Sequence, residues 1–176
     1  MGSSAFVRRR RSPASLNLIV RHLVSLTARI ELAFGTSPPP TGPIVEAGYL
    51  RPDVQGDEGA TDAFLGKSWE ALSADLLLYH RSVMYMFTPR AHHYYFPAFM
   101  GAALELRTEA EDIPDLIIYH LAQHHDPYWW ERIRLFNPSQ CDVIAEFVGV
   151  ISDEIHRESG ETIRALAALD RARQGV

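Results

Sequence analysis

Between Val83 and Met100 the sequence reads VMYMFTPRAHHYYFPAFM, and this stretch constrains the fold more than any other. It holds six of the chain's eighteen aromatic residues, two prolines and a pair of adjacent histidines. Thr88 followed by Pro89 reads as an N-cap and first helical residue, because a hydroxyl can accept from an orphan amide and proline has no amide to lose. Pro97 arrives eight residues later, where its ring clashes with the preceding turn, and it predicts a bend at Tyr95 and Phe96 with a helical restart at Pro97. Six aromatics around such a bend are core material. The functional alternative is a ligand cage or partner surface built from His92, His93, Tyr94 and Tyr95.

The remaining pattern is mainly helical. Ser12 and Pro13 repeat the cap chemistry, and Leu16, Ile19, Val20, Leu23, Ile30 and Phe34 share one face until Gly35 stops the helix. From Gly35 to Gly66 there are six glycines and five prolines, a composition that opposes any long regular element. Within this loop the apolar piece Pro43 to Leu50 is expected to tack onto the body or to lie as a short strand. Leu65, Trp69, Leu72, Leu76, Tyr79 and Val83 alternate steps of four and three, which predicts one long amphipathic helix opened by Ser68. Further helices are expected over Pro97 to Arg107 and Asp112 to His124. Arg132 to Leu135 alternates as a strand would. Asn137-Pro138-Ser139-Gln140 reads as N-cap, first-turn proline and capping-box glutamine. The helix that follows buries Ile144, Phe147, Val148, Ile151 and Ile155, and a last helix spans Glu161 to Arg173.

Charge is unevenly distributed. Residues 1–30 contain six arginines and no acid, while the rest carries 11 basic and 22 acidic residues, net −11. The Arg8 to Arg11 cluster is expected to lie in a flexible, solvated arm over residues 1–11, with a phosphate-binding arm or a targeting segment as its alternatives. Nucleic-acid binding is disfavoured, because the acidic body repels phosphates. The apolar run Leu16 to Val20 is cut by Arg21 and His22, too early for a secretory signal. No apolar run is long enough for a membrane span. A single cysteine, Cys141, excludes an intramolecular disulfide and fits a reducing, cytoplasmic setting. Sixteen arginines against the single Lys67 point to a GC-rich coding sequence and a bacterial source.

Each candidate chemistry is incomplete. Gly66-Lys67-Ser68 resembles the end of a P-loop, but Thr61 stands where the first glycine belongs, and capping by Ser68 accounts for the tripeptide. His120 and His124 are one helical turn apart, the spacing that lets two imidazoles share a metal, yet Leu121 replaces the glutamate of the zincin motif. A third ligand has to come from elsewhere, with His80, His92 and His93 available. Cys141, in the first turn after Asn137, is either a thiol with a dipole-lowered pKa or a small buried hydrophobe. Glu109, Glu111 and Asp112, and Asp153 with Glu154, read as solvated helix ends and faces. No cofactor is implied.

The combination of Ala33-Phe34, Trp69 and Leu72, Phe87-Thr88-Pro89, Ala91, Tyr94-Tyr95, Pro97-Ala98-Phe99-Met100 and Asn137-Pro138-Ser139-Gln140 before Phe147 resembles a bacterial family of small proteins of unknown function. The resemblance spans roughly residues 27 to 155 and leaves the Arg-rich extension and the last helix outside. It implies no activity, cofactor or catalytic residue.

Together these readings predict a single helical domain over residues 12–176, with six or seven helices and a Pro/Gly-rich loop at 35–66, and leave a minor strand pair open. The expected function is a non-catalytic interaction module of immunity or accessory type with a basic protein partner. A metal-dependent enzyme built on His120 and His124 is the alternative.

Overall fold

A helix that is apolar on every side has to be enclosed by others, and the stretch beginning at Thr88 becomes such a helix. The computed structural model describes residues 25–49, 59–105, 112–123, 128–154 and 160–175. Helix α1 covers residues 25–34, followed by α2 (Ala60–Phe64), α3 (Ala74–Tyr79), α4 (Pro89–Glu105), α5 (Asp112–Ala122), α6 (Trp129–Ile133), α7 (Pro138–Glu154) and α8 (Gly160–Gln174). Among the described residues the one β pairing is an isolated bridge, Val45 to Phe87. The fold is mainly α. The strand pair that the sequence left open is reduced to that bridge among the described residues.

Helix α4 is the hub. Thr88 Oγ1 accepts from the amide of Ala91 at 3.3 Å, so the cap read from the sequence is made. The helix does not restart at Pro97. It runs through that residue as one 17-residue element, forgoing the hydrogen bond that a residue-97 amide would give the carbonyl of His93. Burial offsets the loss, since Tyr94 to Met100 and Ala102 to Leu104 are all buried. Helices α3, α5 and α6 and a 3₁₀ turn at Trp69–Ala71 pack against α4, and α8 packs across α5 and α7. Phe64 from α2 sits edge-on to Phe87 and to Tyr95, each at 5.2 Å between ring centroids. The Tyr95 hydroxyl donates to the Phe64 carbonyl at 2.6 Å, closing the end of α2 onto the hub.

Two more sequence expectations are corrected. The stripe from Leu65 to Val83 is not one helix: it breaks into the Trp69–Ala71 turn, α3, and a 3₁₀ segment at Arg81–Tyr85. Ser68 donates to Glu70 at 3.0 Å rather than capping, and Ser73 caps α3 by accepting from Leu76. Successive 3₁₀ and α turns keep apolar residues three or four apart, so the stripe survives while the helix does not. The alternation at Arg132 to Leu135 does not form a strand either. Arg132 and Arg134 donate their amides to the carbonyls of Tyr128 and Trp130, as helical residues do.

Elsewhere local chemistry predicts the structure. Gly35 ends α1 in the left-handed region, φ 63°, with its amide on the Glu31 carbonyl. Asn137 Oδ1 accepts from the Gln140 amide and Gln140 Oε1 accepts from the Asn137 amide, both at 3.0 Å, which is the reciprocal capping box. The described part of the apolar piece, residues 43–49, tacks the loop down, with Ile44 buried and its carbonyl taken by the Thr88 amide. The expected start of α1 and residues 50–58 lie outside the described residues.

Candidate functional site

The histidines and tyrosines of α4 face the core. His92 and Tyr95 are wholly buried and Tyr94 nearly so. Of the four residues expected to form a docking surface, His93 alone is partly exposed. The His93 imidazole meets Gln140 Oε1 at 2.9 Å. That oxygen only accepts, so the contact requires Nε2 to be the donor.

His120 comes to His92. Their ring centroids are 4.7 Å apart, with Phe96 at 5.0 Å and Phe136 at 5.7 Å from His92 and Tyr85 at 5.2 Å from His120. All four ring nitrogens are buried without a hydrogen-bond partner among the described residues. Desolvation is the main reason the imidazoles stay neutral: it holds His120 down to about 3 and His92 well below its ordinary value. The positive charge of Arg132 pushes both in the same direction, and on His92 the neighbouring His120 contributes more than Arg132 does. Arg132 is fully buried, with Nε donating to the Phe87 carbonyl at 2.9 Å and the guanidinium 5.7 Å from the Tyr128 ring centre. A permanent cation beside two imidazoles works against a divalent metal there. Among the described residues no three His, Cys, Asp or Glu side chains are grouped to hold a metal. His124 lies outside the described residues.

The other candidates are equally committed. Cys141 is buried with Sγ 3.7 Å from the Phe136 carbonyl. Burial, helped by Asp142, pushes its thiol up to about 11, so the helix end does not make it a nucleophile. Gly66 turns the chain at φ 73°, and Ser68 gives its hydroxyl to the Glu70 carboxylate. Glu109, Glu111 and the side chains of Asp112, Asp153 and Glu154 lie outside the description.

An open concavity that sequence reasoning missed lies on the other side of α4. It is a groove of about 450 Å³ formed by α1, the Trp69–Ala71 turn, α3 and the second half of α4. Ile30, Leu72, Leu77, Ala98 and Gly101 supply its apolar surface, and Glu31, Glu70 and Glu105 stand exposed around it. Among the described residues none of the three glutamates enters a salt bridge. Four separate segments contribute, so no local sequence signal could have revealed it.

This geometry defines a mainly helical domain with a sealed histidine pair inside and an acid-rimmed apolar groove outside. The chain belongs to a family of unknown function, DUF6714, whose model matches residues 46–171. The match takes in most of α8, which the sequence resemblance had left outside, and it begins after α1. No curated protein and no solved structure matches the chain. Among the described residues no helix is long and apolar enough to cross a membrane.

Proposed function

We propose that this is a non-catalytic interaction module of bacterial cytoplasm, of immunity or accessory type, that binds a basic protein. The observation that carries this reading is the contrast between the two polar features of the fold. Among the described residues His92, His120 and Cys141 are sealed in the core and held neutral, whereas carboxylates without ion pairs ring an open apolar groove. A catalytic histidine has to reach solvent or substrate and titrate near the working pH, and neither His92 nor His120 meets that requirement. The net −11 of the chain beyond residue 30 supports the same reading. A field of that sign steers a cationic partner and speeds its association, an effect screened over about 8 Å at physiological ionic strength. Affinity capture from the source cell at low and high salt tests the proposal. Salt-sensitive recovery of a basic protein is expected. Small-molecule turnover by the isolated chain, or no salt-sensitive partner, would overturn it.

A further inference from the structure

The groove has two properties that select its occupant. Its polar lining side chains, Thr27 and the three glutamates, are all exposed, and the Trp69 indole N–H already donates to the Gly35 carbonyl at 3.3 Å. A small-molecule site instead places a few polar groups deep inside an apolar pocket. The floor also contains Gly101, in the interior of α4, where glycine is a poor helix former. No described residue lies within 4 Å of where its Cβ would stand, so packing among the described residues does not require a glycine there. Its missing side chain leaves open floor between Ala98 and Glu105, against which another backbone can lie closely.

We propose that this groove docks one amphipathic segment of a partner protein, with apolar side chains on the α4 floor and arginine or lysine residues against Glu31, Glu70 and Glu105. The proposal rests on the interaction reading above and names its surface. Charge complementarity selects the occupant, since among the described residues three carboxylates without ion pairs face the concavity and none of the lining residues is basic. Helix-in-groove recognition uses this combination of an apolar stripe and a charged border.

Fluorescence anisotropy on the full chain provides the test. Two labelled 15-residue peptides share leucines at helical spacing, one flanked by arginine and the other by glutamate. The arginine peptide should bind saturably and lose about tenfold in affinity between roughly 50 and 300 mM salt, while the glutamate peptide should not bind. Gly101→Leu fills the open floor with a better helix former. It should lower affinity at least about tenfold with an unchanged or raised melting temperature, and the double variant Glu31→Lys, Glu105→Lys should do the same to affinity. Equal binding of both peptides, no binding, or full binding by Gly101→Leu would overturn the proposal. Displacement of the probe by a synthetic peptide of residues 1–24 at lower concentration than by the arginine peptide would assign the groove to the chain's own arginine-rich start instead. Partner capture by Gly101→Leu at the wild-type level would sink the groove assignment and leave the interaction reading standing, whereas no capture by the wild type removes that reading.

Discussion

His92 on α4 and His120 on α5 pack ring against ring, centroids 4.7 Å apart and planes inclined by 36°, in a space that water does not reach. Unfolded, each accepts a proton near pH 6.5. Folded, burial keeps His120 neutral down to about 3 and His92 neutral well below its ordinary value. The unfolded state therefore binds more protons below pH 6.5, so stability is full above that pH and falls as the pH drops toward 3. The slope is about 1.4 kcal/mol per pH unit for each histidine, so His120 alone accounts for about 2 kcal/mol between about pH 7.5 and pH 5. Urea midpoints at those two pH values measure it. His120→Met should reduce the difference by about half, and a wild-type profile that is flat in this range contradicts the assignment.

Arg132 contributes to this behaviour through its charge. Arg132→Met removes a cation near both imidazoles, so their folded pKa values rise and the loss of stability in acid becomes shallower. The same change leaves the Phe87 carbonyl without its Nε donor and should cost about 1–3 kcal/mol at neutral pH. Denaturation at neutral and acidic pH separates the two effects. An acid dependence identical to wild type would show that the guanidinium does not act on the pair.

Tyr95 serves both as ring and as hydroxyl. Tyr95→Ala should cost about 3–5 kcal/mol, because it empties a site packed against Phe64 and Phe87. Tyr95→Phe keeps the ring and removes only the hydroxyl, which donates to the Phe64 carbonyl and reaches the Lys67 carbonyl at 3.3 Å, for about 1–2 kcal/mol. Equal losses in the two variants would contradict this division.

The helix starts at Thr88 and Asn137 were legible because a cap is local chemistry: the partners sit three residues apart and the sequence contains both. Asn137→Ala should therefore cost about 1 kcal/mol in thermal or urea denaturation. The stripe from Leu65 to Val83 misled because mixed 3₁₀ and α turns give the same spacing as a continuous helix. Arg132 was unreadable for a different reason. Its partner carbonyl at Phe87 is 45 residues away, and nothing nearby in sequence marks a guanidinium for burial. His92 was legible only as one of several possible companions for His120, since helical spacing pointed to His124 while tertiary packing brought α4 against α5.

Hydrogen exchange of the full chain with and without the arginine-flanked peptide tests the central claim most directly, because it locates binding on the fold without any substitution. Added protection is expected in residues 27–31, 69–77 and 97–105, the segments that form the groove, with little change in α7 and α8. Protection confined to α7 and α8, or none anywhere at saturating peptide, would contradict it.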